Sequence, residues 1–483
     1  MQKGTAFMTV KPKSKKTAAV VIAFGLLLLG AGACFLTSLW KTRDQREDYR
    51  QISSLTYDSV FLSMYPVDTF EEEDFAYFRA MTLFKASYCI PEFSVVEQYM
   101  ERIMASGNQV TTAYLGLLPH KTDLDSLQAL MERYPSVTFE IILPYPSSEY
   151  WAGLSESRYE QEKKAYCDFL TALPDMPSFD VNASFYFFAS QEWLIANPSN
   201  YEEEWLVTAP IARTIMTYSD RAHENLITRE NAPALARALE DLIQKLRYQP
   251  EDYPDLSDTC IVFFGDSIIG NYIDSTSIPG VVAGLTGAEV FNCGYGGNSA
   301  ALGPDLLISL PGIVDAFFQG DLTVLPEDTQ VYRGTAAYLS NPPQDKKLCF
   351  VIHYGFNDYA GGFPLSSEDP LDTGTYCGAL RRAVETIRSQ APDARIILSS
   401  PLFTAQFQGG AEPNSSGHVL ADYVQIVRSL SEELSTDLLD NYQNLGINSE
   451  NHGLYLLDQV HPNAACRYLM GKNLIRLIEG REQ

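Results

Sequence analysis

Short apolar runs alternate with amphipathic stretches twice along this chain, and that alternation constrains the fold more than any other feature. Val60 to Leu62, Val110 to Leu115, Phe139 to Leu143 and Phe185 to Phe188 read as strands. Asp123 to Arg133, Glu160 to Leu173 and Asn231 to Leu246 read as helices between and after them. An acidic, proline-bearing stretch without periodicity, Tyr248 to Asp258, then interrupts the pattern. Beyond it the pattern restarts, with strands at Cys260 to Phe264, Glu289 to Phe291, Leu348 to His353 and Arg395 to Leu398. Thr375 to Gln390, Val419 to Leu434 and Asn463 to Ile478 are the helices of this second block. Strands separated by helices need crossover connections, and crossovers build parallel sheets. The expected class is therefore α/β, with a domain at 58–247, a linker at 248–258 and a second domain at 259–483. A weak internal echo hints at duplication. Glu140 to Pro144 resembles Arg395 to Ser399, and Asp220-x-x-His223 resembles Asp458-x-x-His461.

The amino terminus sets a different constraint. Residues 1–16 carry Lys3, Lys11, Lys13, Lys15 and Lys16 and no acid, and Thr17 to Trp40 carries no charge at all. A run of that length matches the roughly 30 Å hydrocarbon core of a bilayer as one helix. Lysines before it predict a cytoplasmic tail at 1–16, a transmembrane anchor at 17–40 and a polar stalk at 41–57, with the remainder outside the cell. A cleavage site at Ala31-Gly32-Ala33, or a lipoprotein modification at Cys34, is the rival reading. Against the rivals, apolar sequence continues past Cys34 through Phe35, Leu36, Leu39 and Trp40. With 35 Lys and Arg against 61 Asp and Glu the formal charge is −26, so nucleic acid is not an expected partner. The eight cysteines show neither CxxC nor Cys/His spacing, so neither a metal, nor another cofactor, nor a disulfide framework is expected.

Four strings carry chemistry. The strand ending at Phe264 runs into Gly265-Asp266-Ser267, where open α/β sheets bind ligands. A serine hydroxyl needs a base, and Asp458-Gln459-Val460-His461 offers an imidazole with a carboxylate to fix its tautomer. Asn292 to Asn298 is rich in glycine after the second strand, leaving backbone N–H groups that can face a developing oxyanion. Gly355-Phe356-Asn357-Asp358 follows the third strand and offers a side-chain amide as a further donor. His353 and His452 lack the Asp-x-x-His spacing and read as structural.

As a set these strings resemble the SGNH hydrolases, also called GDSL esterases and lipases, over about residues 259–480. The resemblance implies a three-layer α/β/α (flavodoxin-like) fold and metal-free ester hydrolysis. It implies Ser267 as nucleophile, His461 as general base and then acid, and Asp458 as the residue orienting His461. It further implies an oxyanion hole from the Ser267 and Gly294 N–H groups and the Asn357 side chain. Gly265, Asp266, Gly355 and Asp358 support the motifs. The first domain has no Gly-Asp-Ser after its first strand, so it reads as a degenerate SGNH-like half that binds substrate or a partner. Its aromatic stretch Tyr145 to Trp151 either lines a sugar site or packs in a core.

The expected activity is that of a membrane-tethered extracytoplasmic serine esterase acting on an O-acyl, for instance acetyl, ester of a carbohydrate or cell-envelope polymer. An O-acyltransferase using the same triad is one alternative, and a catalytically silent envelope-assembly or adhesion protein is another.

Overall fold

The computed structural model describes residues 59–63, 80–82, 92–105, 110–208, 210–211, 215, 225–303 and 308–481. The expected tail, anchor and stalk, and the Asp220-x-x-His223 echo, lie outside the described residues. Among the described residues no helix is long and apolar enough to cross a membrane.

The first sheet holds β1 (Ser59–Ser63), β2 (Ala80–Thr82), β3 (Thr112–Gly116), β4 (Thr138–Leu143) and β5 (Ala183–Phe187). Its order is β2-β1-β3-β4-β5, with each neighbouring pair parallel. A short antiparallel pair, β6 (Tyr201–Glu203) and β7 (Leu206–Val207), follows. The aromatic stretch after β4 is core. Trp151 is fully buried, edge-on to Tyr166 at 5.6 Å and to Tyr159 at 6.3 Å. Tyr150 packs against Trp205 at 4.5 Å and donates its hydroxyl to the buried Glu162. Of the two readings of Tyr145 to Trp151, packing is the one the structure supports.

The second sheet holds β8 (Thr259–Gly265), β9 (Glu289–Gly294), β10 (Lys347–His353), β11 (Arg395–Ser399) and β12 (Asp437–Leu439). Its order is β12-β11-β10-β8-β9, again all parallel. Every residue of β8 is buried, because successive side chains point to opposite faces and both faces are covered. Cys260, Val262 and Phe264 face the helices Leu310–Gln319, Tyr376–Gln390 and Leu420–Leu434. Ile261 and Phe263 face the helices Ile278–Thr286 and Ala464–Glu479. The expected three layers are the result. The chain leaves β8 for β9 on one side and returns to β10 on the other. The crevice for a ligand opens beyond the carboxyl ends of strands at that reversal.

Among the described residues, four helices of nine or more residues were not legible in the sequence: Phe93–Ala105, Ile278–Thr286, Leu310–Gln319 and Gln330–Ser340. The second, IPGVVAGLT, is apolar all round and so has no stripe to detect. It is sandwiched: Ile278 and Val282 pack toward the second sheet, while Val281 packs into the core of the first. Polar contacts reinforce this junction. Asn197 Nδ2 donates to Ser275 O at 3.1 Å. Lys472, almost wholly buried, bonds Glu192 at 3.0 Å and Glu251 at 2.5 Å. Glu251 belongs to the irregular stretch before β8, which is thereby strapped to the last helix.

Candidate active site

Asp266 directly follows β8 and caps the one-turn helix Ser267–Gly270, its Oδ1 accepting the Ile268 N–H at 2.9 Å. That cap fixes Ser267 as the first helical residue, at the mouth of the crevice. Its hydroxyl lies 3.0 Å from His461 Nε2. On the far side of the ring, His461 Nδ1 lies 2.8 Å from Asp458 Oδ2. A carboxylate accepts only, so Nδ1 carries the hydrogen and Nε2 is left to accept from the serine. Asp458 Oδ1 also accepts the N–H groups of Val460 and His461, each at 2.7 Å, closing the Asp-x-x-His segment into a turn. Burial pushes the Asp458 carboxyl up, but these three hydrogen bonds outweigh it and hold the group below the usual range.

The donor side differs from expectation at one residue. The Gly294 N–H is donated to Asn292 Oδ1 at 3.0 Å, so it is not free to receive an oxyanion. Gly294 is glycine because the Ser267–Gly270 helix sits on it: a Cβ there would meet Gly270 N at 2.6 Å. Beyond it, Tyr295 to Asn298 forms a turn closed by the Asn298 N–H on Tyr295 O at 3.1 Å, with Gly297 at φ +77°. Among the described residues the N–H groups of Gly296 and Gly297 have no partner, and a Cβ on Gly296 would lie 3.9 Å from Ser267 Cβ. This turn, rather than Gly294, brings free donors to the serine. The spacing of glycines could have suggested it, but nothing in the sequence says which N–H is already spoken for.

Asn357 and Asp358 fasten that turn. Asn357 Nδ2 donates to Asn298 O at 2.7 Å, leaving its second hydrogen without a partner among the described residues. Asp358, fully buried, accepts the N–H groups of Ala300 at 3.0 Å and Ala301 at 2.8 Å. Gly355 makes the approach possible, since its φ of +135° admits no other residue comfortably and a Cβ would lie 2.7 Å from Tyr376 Oη. Gly265 closes β8, paired with Gly294 on one side and His353 on the other. Burial pushes both Asp266 and Asp358 up to about 7, and in Asp266 the neighbouring Asp358 charge adds to it.

Sequence reasoning missed two supports. Arg467 is fully buried and, among the described residues, has no acid partner. Its guanidinium donates to Pro462 O at 2.7 Å, Thr276 O at 2.7 Å and Thr276 Oγ1 at 2.9 Å. It lies over the Tyr272 ring at 3.6 Å, so it ties the histidine loop to the segment after the Ser267–Gly270 helix. Gln459 O accepts the Ala405 N–H at 2.8 Å and the Thr404 hydroxyl at 3.0 Å, fixing the same loop from another side. Neither Arg467 nor Thr404 belongs to a motif. His353 is buried and burial lowers it to about 4, with Nδ1 2.9 Å from Ser399 Oγ. Neither it nor His452 is hydrogen-bonded to Ser267. Among the described residues no group of three or more His, Cys, Asp or Glu could hold a metal, and Cys167, Cys260, Cys293, Cys349, Cys377 and Cys466 are free thiols.

Solved structures resemble a little under half of the chain. A carbohydrate acetylesterase family member from Sinorhizobium meliloti is 17% identical, with 46% of this chain and 98% of that one covered and a TM-score of 0.30. A possible lipase from Chitinophaga pinensis is 16% identical over 46% and 98% of the chains, at 0.32. A member of the lipolytic protein G-D-S-L family from Veillonella parvula is 14% identical over 46% and 98%, at 0.31. No curated protein matches the sequence. The GDSL-like Lipase/Acylhydrolase family matches residues 263–466, the span that contains Ser267, the glycine turn, Asn357 and the Asp458–His461 loop. Residues 263–466 therefore form a GDSL-like lipase/acylhydrolase domain, and the chain is an ester-hydrolysing serine hydrolase.

Proposed function

We propose that this chain is a membrane-tethered, extracytoplasmic serine esterase that removes an O-acyl group from a carbohydrate or cell-envelope polymer. The observation that carries the chemistry is the hydrogen-bonded relay from Ser267 Oγ through His461 to Asp458, at 3.0 and 2.8 Å. Ser267 Oγ attacks the acyl carbonyl carbon while His461 Nε2 takes its proton. The carbonyl oxygen becomes an oxyanion held by the Ser267 N–H, the Gly296–Gly297 turn and the spare Asn357 hydrogen. On collapse the alcohol leaves with the proton from His461, and the acyl group stays on Ser267. Water then attacks the acyl-serine with His461 again as base, releasing the carboxylic acid and restoring the hydroxyl.

Two features support the substrate and the setting. The uncharged run Thr17 to Trp40 suits a tether, which favours substrates at the cell surface. The charge of −26 disfavours strongly anionic ones and leaves neutral acylated glycans as the fitting class. The test is to incubate the full chain in detergent with acetylated xylo-oligosaccharide and follow acetate release. Acetate released at least about tenfold faster than by the Ser267→Ala protein is the expected result. Equal release by both proteins would contradict the substrate class.

A further inference from the structure

The two halves of the molecule leave a half-open cleft of about 280 Å³ between them. Gln191, Trp193 and Asn225 line it from the first half, and Leu454, Asn463 and Ala465 from the second. The second wall is continuous with the histidine loop. Asn463 stands two positions after His461, caps the last helix, and donates Nδ2 to Leu454 O at 2.9 Å. The cleft therefore borders the loop that carries His461, without containing any residue of the relay.

The chemistry of the lining selects a ligand class. Gln191 Nε2 donates to Asn225 Oδ1 at 3.3 Å. That leaves Gln191 Oε1 and Asn225 Nδ2, an acceptor and a donor, without partners among the described residues. Among the described residues no lining side chain is ionisable, and the indole of Trp193 adds an aromatic surface. Carboxamides beside an aromatic ring suit a neutral group that carries hydroxyls on its edge and C–H bonds on its face. A sugar ring has that character and a phosphate or carboxylate does not. The first wall is also held in place. Glu192, between Gln191 and Trp193, is bonded by Lys472 at 3.0 Å and Lys245 at 3.1 Å, so the two walls keep a fixed spacing.

We propose that this cleft is a subsite for a sugar ring of the acylated glycan, and that the first domain takes part in the reaction by supplying its outer wall. The inference rests on the carbohydrate-esterase reading above, and its test separates the two. Ala465→Phe fills the cleft from the second half, and Gln191→Ala removes an acceptor from the first. For each variant, kcat/KM is measured on acetylated xylo-oligosaccharide and on 4-nitrophenyl acetate. A fall of about tenfold in the ratio of the two, carried by KM for the sugar ester, is expected. An unchanged ratio would overturn the proposal, including the case where a disturbed histidine loop lowers both activities together. Binding is read independently by titrating deacetylated xylo-oligosaccharide into the Ser267→Ala protein. Heat of binding that disappears with Ala465→Phe is expected. Its persistence would overturn the subsite even if the esterase reading stands, and binding without sugar-ester turnover would overturn the esterase reading and leave the subsite.

Discussion

Arg467 shows how much of this site depends on a residue that touches no substrate. Its guanidinium, enclosed without a counter-charge, is satisfied by two carbonyls, a hydroxyl and the Tyr272 ring. Lysine cannot reproduce that planar fork, so Arg467→Lys should lower kcat roughly tenfold with little change in KM, and Arg467→Met should lose more. Steady-state kinetics on 4-nitrophenyl acetate reads both, and wild-type kcat in the lysine variant would refute the role. Asp266 and Asp358 give a second test at this scale. Both are raised to about 7 by burial, against about 4 in an unfolded chain. Between those values the folded protein binds more protons than the unfolded one, so their contribution is full below about pH 4 and is lost as pH rises through about 7. Asn keeps the cap at position 266 but cannot ionise. Asp266→Asn should therefore show a shallower decline of Tm between pH 5 and 8 than the wild type, and parallel curves would contradict the assignment. The relay residues were legible in the sequence because strand ends and Asp-x-x-His spacing are local patterns. The proposed oxyanion donors were legible only as a glycine-rich string. Which N–H is free depends on Asn292 folding back onto Gly294, a side-chain contact that spacing does not encode.

At the scale of elements, β8, β10 and β11 were readable because strands buried on both faces become nearly continuous apolar runs. The helix Ile278–Thr286 was not, because contact with both sheets removes the polar face that gives a helix its period. The same junction carries the Lys472 cluster, whose partners lie far away in sequence at Glu192 and Glu251. Burial pushes both carboxyls up, yet the ammonium groups and Arg476 hold them below the usual range. The sign is opposite to that of Asp266. The cluster stabilises the junction above the ordinary carboxylate range and loses that contribution as pH falls through the lowered values. Lys472→Met takes from Glu192 and Glu251 the buried ammonium they share, leaving only Lys245 and Arg476 to pair them. It should cost about 2 kcal/mol or more in urea unfolding at pH 7, less than a fully enclosed pair because Glu192 is partly exposed. A loss under about 0.5 kcal/mol would mean that the apolar contacts of Val281 and Tyr468 hold the halves together unaided.

At the scale of the whole molecule, two parallel sheets of the same strand order stand in tandem, and one of them presents the serine relay. Everything proposed about substrate and setting depends on Ser267 being the nucleophile. A fluorophosphonate reacts with a serine only when a base and oxyanion donors activate it. The decisive measurement is peptide mass spectrometry of the full chain after fluorophosphonate treatment, with the Ser267→Ala and His461→Ala proteins treated alongside. Covalent adduct on Ser267 alone, absent from both variants together with 4-nitrophenyl acetate turnover, is the expected result. Adduct on another serine, or turnover retained by Ser267→Ala, would contradict it.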